Sequence, residues 1–167
     1  DQTRMPFRMH SEYLRHIFLG NELATGHYKV NGRTIAITDI RAPIFTVATE
    51  QDHVAPWRSV YKINLLADAD EVTFLLTSGG HNAGIVSEPG HHRRSFQMAT
   101  RNDQDRYIDP DTWQATIPKQ EGSWWPAWEA WLTKHSAAHQ VSPPPMGMPE
   151  KGLYPICEAP GTYVLQK

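Results

Sequence analysis

Two continuous apolar runs predict the central strands of this chain. Residues 44–49 and 72–77 show no polar alternation, which is typical of strands buried on both faces of a parallel sheet. Between them, four apolar residues recur at helical spacing up to about residue 67, namely Trp57, Val60, Tyr61 and Leu65. One helix is therefore expected to join the strands. A strand, a helix and a strand with short links predict a crossover between parallel neighbours and an α/β fold.

Periodicity and turn signals predict further elements around this unit. Residues 7–23 are expected to form a helix with Tyr13, Leu14, Ile17 and Phe18 on one face. Asn31-Gly32 between two short β-type runs predicts a hairpin over residues 28–35, because both turn positions need positive φ. Asp109-Pro110 has the form of a helix cap followed by proline in the first turn.

A tryptophan-rich segment predicts a last helix, which Ser123 can cap. Its apolar stripe consists of Trp124, Trp128, Trp131 and Leu132. The preferred interpretation is a helix docked on the sheet by large rings, and the alternative is an aromatic platform for a sugar or polymer.

The C-terminal residues have a different composition. Residues 140–151 are rich in proline and predict an extended linker, and the tail beyond ends in a short β-like run up to residue 165. The predicted organisation is therefore one domain over residues 1–139, followed by a proline-rich linker and tail over residues 140–167.

Composition and charge narrow the classes of partner. The chain has 167 residues, 16 basic and 18 acidic, for a net charge of −2. Because like charges form no block beyond Arg93-Arg94, no nucleic-acid partner is predicted. No apolar run approaches the roughly 18 residues of a membrane span, no signal peptide is visible, and a single Cys agrees with a reducing compartment. The start at Asp1 without Met is interpreted as a piece of a longer protein.

Polar residues follow both predicted strands directly. Asp52 comes after the first strand, and His81 comes after the second, beyond Gly79-Gly80, where the backbone can turn sharply. Because the carboxyl ends of adjacent parallel strands lie at one edge of a sheet, these side chains, 29 residues apart in sequence, are expected to meet. An acid that orients a His forms two thirds of a nucleophile–His–acid triad.

The chain offers no evident nucleophile for that triad. No Gly-x-Ser-x-Gly or Gly-x-Cys-x-Gly motif occurs, and Cys157 lies in a proline-flanked tail after the His. Cys157 is therefore not expected to be the nucleophile. His53, adjacent to the acid, is interpreted as structuring the loop, with an auxiliary role in deprotonating a hydroxyl as the alternative.

Three interpretations compete for residues 88–108, which contain His91, His92, Arg93 and Arg94. A solvated loop is preferred, and an anion site in which the two Arg side chains bind a phosphate comes second. A metal site that combines both His residues with His81 and Asp52 is third, because no zinc-type ligand spacing is present.

Several motifs together resemble the C-terminal part of the catalytic domain of polyhydroxyalkanoate synthases, the bacterial polyester polymerases. The resemblance covers nearly the whole chain, and it rests on residues 9–19, 50–57, 78–88, 122–132 and 159–164. Among them are the stretches Asp52-His53-Val54-Ala55-Pro56-Trp57, Gly80-His81-Asn82-Ala83-Gly84 and Gly122-Ser123-Trp124-Trp125-Pro126.

The resemblance implies the C-terminal part of an α/β-hydrolase fold and a Cys–His–Asp triad. Asp52 matches the acid of that triad and His81 its base, while the nucleophilic Cys and a mobile cap lie upstream of these residues. Such enzymes are acyltransferases that move an (R)-3-hydroxyacyl group from CoA to a growing polyester, with the CoA thioester as substrate and no cofactor. The chain alone is accordingly expected to be inactive.

The resemblance also implies a homodimeric parent protein at the surface of a cytoplasmic storage granule. Two alternatives remain at this point. The chain is part of another α/β-hydrolase, a thioesterase or an esterase, or it is a non-catalytic piece that binds ligands through its aromatic helix.

Overall fold

The computed structural model describes residues 4–166. Its strands are β1 (Lys29–Val30), β2 (Arg33–Thr34), β3 (Ile44–Thr49), β4 (Glu71–Thr77), β5 (Ser95–Asn102) and β6 (Gln120–Glu121). Its α-helices are α1 (Phe7–Glu12), α2 (Trp57–Val60), α3 (Ile63–Leu66), α4 (Pro110–Thr116) and α5 (Trp125–His135). A π-helical segment spans Tyr13–Leu19, and 3-10 turns span Ile37–Asp39, Pro149–Lys151 and Tyr163–Leu165. Among these residues, no helix combines the length and the apolar character that crossing a membrane requires.

The two apolar runs pair as parallel strands, as their sequence predicts. β3 runs parallel to β4, with Ile44 opposite Val72 and Thr49 opposite Thr77. β5 adds antiparallel to β4, and the short β6 adds antiparallel to β5, so the strand order is β3-β4-β5-β6. The predicted α/β class with a parallel pair is therefore confirmed, in the form of a mixed sheet.

β4 lies at the centre of the core because both of its faces are covered. Val72, Phe74, Leu75 and Leu76 are at most 1% exposed. One face packs in a cluster of Ala48, Trp57, Tyr61, Phe74, Leu76 and Trp113, and the other in a cluster of Leu75, Phe96 and Trp124. Burial on two faces explains why this strand shows no polar alternation in sequence.

The interpretation of residues 88–108 as a solvated loop is wrong for their middle part, which forms β5. The segment contains polar residues, but its Gln97 is only 5% exposed. The Gln97 amide donates to the backbone oxygens of Gln114, at 2.8 Å, and Ile117. A polar side chain that is buried and hydrogen-bonded gives no apolar signal in the sequence, which is why this strand escapes prediction.

The single helix predicted between β3 and β4 is broken into α2 and α3. The Asn64 amide donates to the Tyr61 carbonyl at 3.1 Å, and the Asn64 backbone N–H donates to that same oxygen. A side-chain donor that hydrogen-bonds to a backbone carbonyl competes with the regular hydrogen bonds of the helix. Trp57 and Tyr61 are buried as predicted, whereas Leu65 is 60% exposed.

The first predicted helix is shorter than residues 7–23 and is not packed. α1 continues into the π-helical segment, which ends at Leu19. The backbone N–H of Gly20, just after that end, donates to Arg15 O. None of its residues is buried, and Tyr13, Leu14 and Phe18 are 44–69% exposed. Its apolar face is therefore largely exposed.

Predictions from turn and cap residues are confirmed. Asn31 and Gly32 have φ of 50° and 77°, and they connect β1 to β2. Asp109 Oδ1 accepts from the backbone N–H groups of Asp111 and Thr112 at 3.1 and 3.0 Å, which caps α4. These features depend only on neighbouring residues, so they can be read locally.

The tryptophan stripe docks inward only in part. Trp124 is 5% exposed, and Trp131 is half-buried with its ring 5.5 Å from that of Phe45. Trp128 and Leu132, however, are 41% and 40% exposed. Docking by large rings is therefore the better interpretation for Trp124, and the single exposed ring of Trp128 makes no platform.

By its contacts the chain divides into two units, one ending at Lys134 and the other beginning at His135. In the second unit, Met148 and Leu153 form an isolated bridge, and Tyr163–Leu165 is a 3-10 turn rather than the expected β-like run. The turn closes locally, because Leu165 N donates to Thr162 O at 3.1 Å. The division into a domain of residues 1–139 and a tail of residues 140–167 stays a prediction.

Candidate active site

The loops that follow β3 and β4 are held side by side by backbone hydrogen bonds. Beyond the last paired residues, Glu50 N donates to Thr77 O at 2.9 Å, and Gln51 N donates to Gly79 O at 3.0 Å. The parallel ladder thus continues past the strand ends. Because the two loops leave the sheet together, the side chains that follow immediately come within reach of each other.

Asp52 is held by donors on both of its carboxylate oxygens. Oδ1 accepts from the backbone N–H groups of Val54 and Ala55, each at 2.8 Å. Oδ2 accepts from the Thr49 hydroxyl at 3.4 Å and from His81. The Ala55 N–H, followed by the His81 ring, lowers the pKa of Asp52 to about 2, so the side chain, which is only 8% exposed, is ionised at neutral pH.

His81 meets this carboxylate through one ring nitrogen. Its Nδ1 lies 2.8 Å from Asp52 Oδ2, and its side chain is 46% exposed. An ionised carboxylate can only accept hydrogen bonds, so Nδ1 carries the proton and donates it. In the neutral ring, Nε2 is then the unprotonated nitrogen that can take a proton from another group.

Two glycines shape the loop that carries His81. Gly79 has φ of +101°, which non-glycine residues rarely adopt. Gly84 fits tightly against the end of β3, because a Cβ there would lie 2.5 Å from Thr49 Cγ2 and 2.9 Å from Ser78 O. The loop therefore follows the surface of the Thr49 side chain, which also contacts Asp52.

Sequence reasoning missed several residues that touch this site. Thr49 contacts both Asp52 and the Gly84 backbone position, although its sequence position indicates only a strand residue. Ser123, Trp124 and Trp125 donate to backbone oxygens of the His81 loop. The adjacent tryptophans could have indicated these hydrogen bonds from the sequence, because the N–H of a packed indole usually has an acceptor.

The other candidate residues have different surroundings, and among them Arg94 lies against the loop that carries His81, because a Cβ at Gly79 would lie 3.0 Å from Arg94 Nη1. His53 is exposed next to Asp52, and Cys157 is exposed in the second unit. His91 Nδ1 lies 3.1 Å from Glu88 Oε1, within its own loop. Over residues 4–166, no cluster of three or more His, Cys, Asp and Glu side chains could hold a metal ion.

Fold and site together define an α/β protein with an acid–histidine pair at the carboxyl ends of two adjacent parallel strands. No profile of a known protein family matches the chain. Individual relatives, however, match it from end to end.

The relatives are polyester polymerases. Poly(3-hydroxyalkanoate) polymerase subunit PhaC of Rhizobium meliloti is 37% identical over 164 residues, which are 98% of this chain and 25% of that protein. The same subunit of Rhizobium etli is 34% identical over 167 residues, 100% of this chain and 25% of that protein. That of Cupriavidus necator is 32% identical over 169 residues, 100% of this chain and 27% of that protein.

The chain spans about a quarter of the length of these curated relatives. It is homologous to a segment of the poly(3-hydroxyalkanoate) polymerases, and the resemblance to polyhydroxyalkanoate synthases inferred from its motifs is confirmed.

Proposed function

We propose that this chain is the C-terminal part of the catalytic domain of a polyhydroxyalkanoate synthase, with an α/β-hydrolase fold, and that it supplies the acid and the base of a Cys–His–Asp triad. The observation that carries the proposal is the hydrogen bond of 2.8 Å between His81 Nδ1 and Asp52 Oδ2. The names of the relatives supply the reaction, the transfer of hydroxyacyl units into a polyester.

In the proposed reaction, a Cys outside these residues attacks the carbonyl carbon of an (R)-3-hydroxyacyl-CoA. His81 takes the Cys proton at Nε2, the thioester C–S bond breaks, and CoA leaves as its thiol after receiving that proton. His81 then removes the proton of a 3-hydroxyl, whose oxygen attacks the acyl carbon of the acyl-Cys. The ester C–O bond forms as the acyl–Cys C–S bond breaks, and the Cys is released as its thiol with the proton returned by His81. Asp52 holds the ring in the required tautomer and stabilises its protonated form.

The remaining features of the proposal come from the reaction and from the resemblance to polyhydroxyalkanoate synthases. The CoA thioester is a substrate, so no cofactor is needed. The growing polyester is the second partner, and the storage-granule surface in the cytoplasm is the proposed site of action of a homodimeric parent. His53 is proposed to structure the loop next to Asp52, so His53→Gln is expected to retain most of the turnover.

A thioesterase or esterase would use the same acid and base. The two functions differ in what accepts the acyl group, which is a hydroxyl of another unit in the polymerase and water in the hydrolase. The polymerase is favoured because the matching relatives are all named as polymerases. If the main product were the free hydroxyacid and not polymer, the hydrolase would be the correct assignment.

The experiment uses the complete polymerase that carries this segment. Asp52→Asn is expected to lower kcat by about 10³- to 10⁴-fold with the fold intact, because the ring loses its orienting acceptor. His81→Ala is expected to be at least as damaging, and Cys157→Ser to leave turnover unchanged. CoA release and polymer mass are measured together, and wild-type rates in both site variants would overturn the proposal.

The isolated chain gives an independent test. Incubated with 3-hydroxybutyryl-CoA, it is expected to release no CoA above background, because the proposed nucleophile lies outside it. Mass spectrometry then looks for a covalent acyl adduct. An adduct on Cys157 that accompanies CoA release would show that the nucleophile is in this chain and that the upstream assignment is wrong.

A further inference from the structure

Three consecutive side chains form donor contacts to the loop that follows His81. Trp124 Nε1 donates to Gly84 O at 3.1 Å, and Trp125 Nε1 donates to Ile85 O at 2.9 Å. The Ser123 hydroxyl donates to Ser87 O. The segment Ser123–Trp125, here called the indole clamp, therefore binds three of the four carbonyls between residues 84 and 87.

Most of the loop lies at the surface, although Gly84 packs against Thr49 and Ser87 is buried. His81, Asn82 and Ala83 are exposed, as are Ile85 and Val86. Its own backbone bonds run from Gly84 N to Gly80 O at 2.9 Å and from Val86 N to Asn82 O at 3.0 Å, which close a single helical turn. One isolated turn is not stable by itself, because its nucleation is costly. Contacts from outside the turn therefore determine its position.

The clamp is anchored in the core. Trp124 is 5% exposed and packs with Leu75 and Phe96, on the face of the sheet opposite Tyr61. Ser123 Oγ also accepts from Trp125 N at 3.1 Å, so the same hydroxyl orders the start of α5. A buried donor that is held by its own packing can keep a surface loop in one position through its hydrogen bond.

We propose that Ser123, Trp124 and Trp125 are positioning residues that hold the turn after β4 so that the His81 ring stays in contact with Asp52. They touch neither substrate nor reacting atoms, and they act through the loop backbone. The catalytic consequence rests on the proposed function of His81, whereas the structural consequence does not.

The structural test uses the chain itself. Trp124→Phe and Trp125→Phe keep an aromatic ring and remove one N–H donor each, and Trp128→Phe on the same helix is the matched control, because Trp128 is 41% exposed. Amide hydrogen exchange at Gly84 and Val86 is expected to become about tenfold faster in each clamp variant, the effect of losing one hydrogen bond. Exchange in β4 and in the control should not change.

A second readout follows the carboxyl group by NMR titration. Loosening the His81 contact should raise the pKa of Asp52 from about 2 toward 3.8, though only partly, because the Ala55 N–H remains its first donor. Unchanged exchange and an unchanged Asp52 titration in both clamp variants would overturn the proposal. Equal changes in Trp128→Phe would do the same, because they would reflect general loosening of α5.

The catalytic test uses the complete polymerase. Trp125→Phe is expected to lower kcat about tenfold with little change in KM, because the substrate contacts remain while the base is misplaced. Faster loop exchange with wild-type kcat would overturn the positioning role and leave the triad proposal intact. Full activity of His81→Ala would instead refute the triad proposal, and the exchange measurements would still decide whether the clamp holds the loop.

Discussion

Asp52 has an environment unlike that of a surface acid. Its carboxylate receives two backbone donors, the Thr49 hydroxyl and the His81 ring. The backbone donors belong to the loop just after β3, so the acid is ordered by its own local sequence. The His81 contact depends instead on a strand formed by residues farther along the chain.

The lowered pKa of Asp52 makes a definite prediction about pH. Because the folded-state pKa is about 2 and the ordinary value is 3.8, the unfolded chain binds the proton first as the pH falls. The stabilising contribution of Asp52 is therefore complete above about pH 4 and is lost as the pH falls from there through about 2. Urea unfolding at a series of pH values should show this loss in the wild type and a flatter profile in Asp52→Asn. An equally steep profile in that variant would contradict the prediction.

Gly84 is a second single residue on which the site geometry depends. Gly84→Ala would place Cβ 2.5 Å from Thr49 Cγ2, so the loop or Thr49 must move, at an expected cost of about 1–3 kcal/mol. Gly80→Ala is the matched control, since its Cβ would lie 3.7 Å from Gln51 O, an ordinary contact. Thermal unfolding should show a clear loss for the first variant and a small change for the second. Equal melting temperatures would mean that the loop does not need Gly84.

At the scale of elements, the burial of a helix depends on which surfaces pack against it. α4 has its cap in sequence and its Trp113 in the core. Trp124, Trp128, Trp131 and Leu132 recur at helical spacing, yet of these only Trp124, which directly precedes α5, is buried. Periodicity alone therefore does not tell how far along a helix the contact with the sheet extends.

Trp124, directly before α5, and Trp128, one turn into it, provide a direct comparison. Trp124→Ala is expected to cost about 3–5 kcal/mol, the usual range for a buried large aromatic, and it also removes a hydrogen bond to Gly84 O. Trp128→Ala should cost clearly less, because its ring is 41% exposed. Denaturant unfolding of the two variants measures both losses. If Trp128→Ala destabilised the chain as much as Trp124→Ala, the partial docking of α5 would be wrong.

At the scale of the whole molecule, two surfaces of the first unit are incomplete. β3 is the terminal strand of the sheet, and within residues 4–166 no strand pairs with its outer edge. The helical segment up to Leu19 also leaves apolar side chains exposed, among them Phe7 and Phe18 at 87% and 69%. Both features agree with a segment that forms about a quarter of its relatives.

An unpaired edge of this kind recruits other strands, so the isolated chain is expected to self-associate. Sedimentation at tens of micromolar should show species larger than a monomer. Thr46→Lys places a charge on β3 and should shift the distribution toward monomer, while circular dichroism checks that the fold persists. A monodisperse wild-type monomer would contradict the prediction.

The sequence by itself determined the features whose cause is local or strictly periodic. The apolar runs predicted β3 and β4 as parallel strands, although only β4 is buried along nearly its whole length. Asn31-Gly32 and Asp109-Pro110 carry their turn and cap chemistry in adjacent residues. The meeting of Asp52 and His81 also followed, because pairing in parallel brings the ends of two strands to one edge.

Only the tertiary structure decided the features whose partners are distant in sequence. β5 exists because β4 offers an edge and because Gln97, a polar residue, finds acceptors near α4 when buried. The indoles of Trp124 and Trp125 find their acceptors 40 residues earlier in the chain. Such contacts depend on which surfaces meet after folding, and neither periodicity nor composition encodes them.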